Sequence, residues 1–168
     1  MNQVDQAREK GKYCVIFDRN GNVPVFFHKK QSIVPFMKEV VAYKAGKITK
    51  EGALETLRAG LVGSMRLGSA YAINLGNLAP DFNTEYKDDK LWPIDDIADF
   101  DEWREDEKYM KIVHEDENKD MQGGKGNYSL ADEHTIVFIS KYESDEKMIE
   151  VMDNIPNSDM MQVIITLS

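Results

Sequence analysis

The chain has 168 residues, 42% of them apolar, with 21 Lys+Arg against 30 Asp+Glu for a formal charge of −9. The length suits one domain of ordinary size, and the apolar fraction suffices for a core. The charge argues against a generic nucleic-acid binder, which needs a basic face to neutralise phosphates, and against docking on anionic lipid.

The charge is unevenly placed. Residues 1–80 carry a net +6, residues 81–120 a net −10, and residues 121–168 a net −5. The acidity therefore belongs to one segment, read either as a solvated insertion or as a partner surface. The one cysteine, Cys14, lies in the apolar run Tyr13 to Phe17 and reads as a small core hydrophobe. Residues 1–12 lack the apolar stretch of a signal peptide and read as a flexible arm. No run reaches the roughly 18–20 apolar residues of a membrane helix, so a cytoplasmic protein is expected.

In chain order, residues 13–17 predict a strand buried on both faces. Asn20-Gly21 then predicts a hairpin turn, and Val23 to Phe27 a short edge strand limited by Pro24. A helix is expected from near Ser32, with Pro35 in its first turn and a stop at Gly46. A longer one runs from an N-cap at Thr49 to about Leu67, with Leu54, Leu57, Leu61 and Met65 as its stripe and Gly68 beyond its end. Gly60 and Gly63 inside it suggest close packing against a sheet.

Ser69 to Leu75 reads as a second buried strand, and residues 79–97 as irregular. A short helix is expected from Asp99 or Asp101 to about Val113, and a mobile loop over 115–127. Thr135 to Ser140 is a third strand. Ser144 caps a helix to about Asn154, and Gln162 to Leu167 closes the chain as a strand. Helices alternating with uniformly apolar strands indicate an α/β domain over 13–168. Its mostly parallel central sheet is flanked by helices and carries an irregular acidic insertion at 81–127.

Catalytic motifs are missing. No Gly-Lys pair sits in G-x-x-x-x-G-K-[ST]. Asp116, Asn118 and Asp120 open like a calcium loop, but its sixth position is Met121 and its twelfth Asn127. His28, His114 and His134 have no zinc spacing. Gly63-Ser64-Met65 lies inside a predicted helix rather than on a nucleophile elbow. Ligands of α/β sheets bind at the carboxyl ends of strands, and those ends carry Asp18-Arg19, Gly76-Asn77 and Ser140-Lys141.

The segments 12–27, 57–68, 69–82, 134–142 and 161–168 together resemble the later part of an AAA+ module. The likeness is to the degenerate fifth AAA module of dynein heavy chains. Residues 17–27 and 74–82 are also similar to tail segments of ciliary proteins with IQ motifs and ankyrin repeats, neither of which occurs here. The resemblance implies a degenerate P-loop NTPase-like fold. The P-loop and its strand are absent from the match, and Asn74, Leu75 and Gly76 stand where Walker-B acids would be.

Ser140 would take the sensor position. No cofactor, metal or catalytic residue is then expected. The resemblance implies a structural or adaptor protein of a ciliary axonemal assembly, binding other proteins, with strand or loop exchange through open sheet edges. Trp92, Asp95, Asp96, Phe100, Trp103 and Tyr109 are the expected partner surface, the alternative being that Trp92 and Trp103 close over the domain's own core. The acidic segment is expected on the phosphate side, where it would repel a triphosphate. The alternative is a nucleotide-binding or transferase enzyme with a non-standard phosphate site at Asp18, Arg19, Asn74 and Lys141.

Overall fold

A computed structural model describes residues 2–29 and 33–167. Five parallel strands form one sheet in the order β2-β3-β4-β1-β5. They are β1 (Cys14–Asp18), β2 (Ile33–Val34), β3 (Ala70–Gly76), β4 (Thr135–Lys141) and β5 (Gln162–Ile165). The helices are α1 (Gln3–Glu9), α2 (Val23–Lys29), α3 (Phe36–Lys44), α4 (Lys50–Leu67), α5 (Ile94–Ile97), α6 (Asp106–Tyr109) and α7 (Asp145–Asp153). Among the described residues, no helix is long and apolar enough to cross a membrane.

Right-handed crossovers decide which face each helix takes. The step β1→β2 runs one way across the sheet, and the later three run the other way. Alternate residues of β1 accordingly feed two cores. Tyr13, Val15 and Phe17 join the large one with α3, α4, α7 and the 81–130 segment. Cys14 and Ile16 join a small one with Ala7 of α1 and Phe27 of α2.

Several expected elements change. The described part of the expected arm, residues 2–12, is not bare: the Asn2 side chain accepts from Asp5 N–H, and α1 lays Val4 and Ala7 on the small core. The expected hairpin strand at 23–27 is helix α2. Asn20-Gly21 makes a strand-to-helix turn, with Gly21 at φ +72°, and Pro24 fits a first helical turn, where its missing N–H costs nothing. Ile33–Val34 is a two-residue strand in place of the expected helix start, α3 beginning after Pro35; Ser32 lies outside the described residues. The expected helix over 99–113 is interrupted at Glu105, whose backbone is extended, leaving a single turn at 102–104 and a short helix at 106–109 that runs on into a tighter turn at 110–112.

Helix α4 follows its signals. The Thr49 hydroxyl accepts Gly52 N–H at 3.0 Å, and Gly68 closes the end at φ +70°. Its two glycines differ. A Cβ on Gly60 would lie 2.8 Å from the Tyr71 hydroxyl, which is itself buried and donates to Leu57 C=O. A Cβ on Gly63 meets nothing within 4 Å, so only Gly60 makes the expected close packing. Gly60→Ala is therefore expected to destabilise by about 1–3 kcal/mol through overpacking. Gly63→Ala should stabilise by roughly 0.5–1 kcal/mol through helix propensity. Urea midpoints of the two variants should move in opposite directions.

The acidic segment is folded onto the domain. Phe82 stacks on Phe36 with ring centroids 5.6 Å apart, and Asn154 Nδ2 donates to Ala79 C=O. Arg58 is 2% exposed and reaches Glu55, Glu117 and the carbonyl of Ile112. It stitches the end of the segment to α4 and holds both carboxyls below their ordinary range. The 115–127 loop carries an internal lock of its own. The Asp120 carboxylate accepts the N–H groups of Gln122 and Gly124.

Candidate functional site

The sheet has a switch point between neighbouring strands β1 and β4. The chain leaves β1 toward β2 and leaves β4 toward β5, so the loops diverge and open a crevice at the carboxyl ends. A cleft of about 300 Å³ lies there. Asp18, Arg19, Asn74 and Lys141 all line it, together with Gly21, Pro24, Met37 and Gly76. Ser140 is 1% exposed in β4, off the lining, its hydroxyl aimed at Lys141 C=O at 3.4 Å.

The polar groups of the cleft are largely committed to one another. Asp18 is 2% exposed. Its Oδ1 accepts Asn20 N–H at 3.2 Å, and its Oδ2 accepts Val23 N–H at 2.9 Å. The Thr166 hydroxyl donates to Asp18 Oδ1 at 3.4 Å and accepts Arg19 N–H at 2.8 Å. Asn20 Nδ2 donates to Leu167 C=O at 3.1 Å. The turn after β1 is thereby closed around a carboxylate and tied to the end of β5. A phosphate loop presents such backbone N–H groups outward to an anion; here an internal anion receives two of them.

Asn74 is similarly engaged. Its Oδ1 accepts Gly76 N–H at 3.0 Å across an irregularity in the β3–β4 register. Gly76 has φ +58°, and a Cβ there would collide with the Met37 sulfur, so glycine is required on both counts. The Arg19 guanidinium lies 4.5 Å from the Tyr142 ring centroid at the cleft edge. Lys141 is exposed.

No residue lining this cleft belongs to 81–127. The expected repulsion of a triphosphate by the acidic segment is therefore corrected. That segment returns over the large core toward the amino ends of the strands, where Phe100 packs on Tyr13 and Arg104 donates to His134 C=O.

The expected partner surface divides. Trp92 and Trp103 are 0% exposed and Tyr109 is 3% exposed, so these aromatics are core residues and not surface anchors. Phe100 is half-buried, with the Arg104 guanidinium 3.6 Å from its ring centroid. Asp95 pairs with Lys87 at 3.0 Å, and Asp96 with Lys108 at 3.3 Å. Exposed pairs of this kind contribute at most about 1 kcal/mol each. The carboxylates remain on the surface while the apolar groups close the domain's own core.

Tertiary structure also brings Ser64 beside His134, a pairing with no sequence signal. Ser64 Oγ is 3.4 Å from His134 Nδ1, and Ser64 Oγ and Nδ1 both reach Ser69 C=O at 3.0 Å. A carbonyl partner makes Nδ1 the protonated nitrogen, so it has no lone pair for the serine proton. Both side chains are buried, and His134 Nε2 has no hydrogen-bond partner. The pair is structural. Burial pushes the imidazole down to about 3.

The unfolded chain takes up a proton here below the ordinary value of 6.5, which the folded chain refuses until about 3. Stability from this site is full above 6.5 and falls by about 1.4 kcal/mol per pH unit below it. His134→Asn keeps a donor for Ser69 C=O without the titration. Urea unfolding between pH 7 and pH 5 should show the wild type losing about 2 kcal/mol more than this variant.

Among the described residues, no group of three His, Cys, Asp or Glu side chains is placed to hold a metal ion. Of the other lining residues, Asn20, Gly21 and Pro24 carry only a turn signal in the sequence, and Met37 and Ile139 carry no signal of a site. No family model, no curated protein and no solved structure matches this chain.

Proposed function

We propose that the chain is a non-catalytic adaptor, a P-loop-like domain whose phosphate-handling loop has been converted into a structural turn. One observation carries this reading: the Asp18 carboxylate accepts the N–H groups of Asn20 and Val23, where a phosphate would otherwise be received. We read β1, the 18–22 turn and α2 as the strand–loop–helix unit of a phosphate loop. On this reading the unit is retained without its motif, whereas the sequence resemblance had it missing. Asn74, spent on Gly76 N–H, supplies no carboxylate for magnesium. The AAA-like resemblance supports a role for such a module in a ciliary axonemal assembly, bound to other proteins.

The test is thermal unfolding with ATP or GTP and magnesium. A ligand at 100 times its dissociation constant adds about 2.7 kcal/mol, so no change in melting temperature is expected and a rise of several degrees overturns the proposal. Proximity labelling in ciliated cells should recover axonemal proteins. Recovery of none overturns the ciliary assignment.

A second reading has one observation in its favour. Arg19 and Lys141 place two cations at a cleft on the switch point, as a phosphorylated small molecule would require. Under that reading the melting temperature rises with nucleotide, and Lys141→Ala abolishes the rise.

A further inference from the structure

The two edges of the sheet are unlike. Strand β2 has two residues and is followed at once by Pro35, which blunts it. Strand β5 has no such protection. Residues 160–167 contain no charge, no proline and no glycine. Val163 and Ile165 are 38% and 40% exposed, and Leu167 is 90% exposed. Gln162 N–H and Thr166 N–H donate to Tyr13 C=O and Phe17 C=O of β1. The alternation of a parallel ladder therefore turns the N–H and C=O groups of Val163 and Ile165 outward.

We propose that β5 pairs antiparallel with β5 of a second copy of this chain, joining the two sheets across a two-fold axis at Ile164. This occupant follows from self-complementarity. Centred at Ile164, the register sets Val163 opposite the partner's Ile165, and Ile165 opposite the partner's Val163. Their outward backbone groups then exchange four hydrogen bonds. The facing pairs at 163, 164 and 165 are β-branched on β-branched, a favourable cross-strand combination, Gln162 faces the uncharged Thr166, and no pair sets like charges opposite. For a chain of charge −9, this neutral edge is a place where two copies meet with little repulsion.

Sedimentation of the full chain tests the proposal. The expected mass is twice 19.2 kDa, and Ile165→Lys should return it to 19.2 kDa with an unchanged circular dichroism spectrum. A monomeric wild type overturns the proposal, and so does a dimer that survives Ile165→Lys. A second variant reads the register. Ile164 would face the partner's Ile164 as a non-hydrogen-bonded pair with Cα atoms about 4.5 Å apart, within disulfide reach. Ile164→Cys should therefore give a covalent dimer on mild oxidation, whereas Val163→Cys, displaced from its own copy by two residues, should not. Cys14 is buried and supplies no competing thiol. Equal cross-linking of the two variants, or no cross-linking of Ile164→Cys, overturns the assigned axis.

Discussion

Asp18→Ala is expected to destabilise the protein by about 2–4 kcal/mol and to loosen the turn between β1 and α2. The variant orphans the N–H groups of Asn20 and Val23, and each unmade bond to a buried or half-buried group costs about 1–3 kcal/mol. Asn20 is exposed and can turn to water, which places the total below the sum of full penalties. The Thr166 hydroxyl also loses its acceptor, so the tie between the turn and β5 weakens. Asp18→Asn keeps one carbonyl oxygen but turns an N–H₂ toward one of the two amides, and should fall between wild type and Asp18→Ala. Amide hydrogen exchange locates the effect. Asn20 and Val23 should exchange faster, while the amides of β4 keep their protection. Wild-type stability in Asp18→Ala would show that the carboxylate does not hold this turn, and would remove the observation on which the adaptor reading stands.

Trp103→Ala is expected to cost about 3–5 kcal/mol, the range for removing a large aromatic from a packed core. For a domain of this size that lowers the melting temperature by on the order of 10 °C. Trp103 is fully buried in a short turn at Glu102–Arg104, with Trp92 fully buried in the same core. A partner-anchoring tryptophan behaves differently: its removal weakens binding and leaves the free protein as stable as before. Differential scanning calorimetry of Trp92→Ala and Trp103→Ala separates the two roles. Both variants should melt far below wild type with no partner present. Unchanged melting in either would return that residue to the surface. Tryptophan emission adds a check, since both indoles should shift to longer wavelength on unfolding.

The legibility of each element tracks how local its cause is. Helix α4 is readable because its cap, stripe and stop lie within one stretch, from Thr49 to Gly68. Strands β1, β3 and β4 are readable as continuous apolar runs, which a sheet covered on both faces demands. Helix α2 is not, because Val-Pro-Val-Phe-Phe favours a strand by composition. Its helical form is begun by the Asp18 carboxylate on Val23 N–H, an interaction five residues away. The acidic segment is hidden for a related reason. Its buried residues, among them Phe82, Tyr86, Trp92, Ile97 and Trp103, follow no period of 2 or 3.6, so charge masks a second layer of core.

By itself the sequence determined the α/β class, the order of the principal elements, and the four polar residues that meet at the strand ends. Those are consequences of hydrophobic runs and of where each run stops. Only the tertiary structure decided the strand order, the crevice at the switch point, and the inward turn of Asp18 onto the loop that follows it. It also decided that the tryptophans lie inside and that β5 ends the sheet uncovered. These features depend on which strands become neighbours and on hydrogen bonds between groups as far apart as Arg19 and Thr166. A pattern of local propensities carries no record of such pairings, because they form only when distant segments pack together.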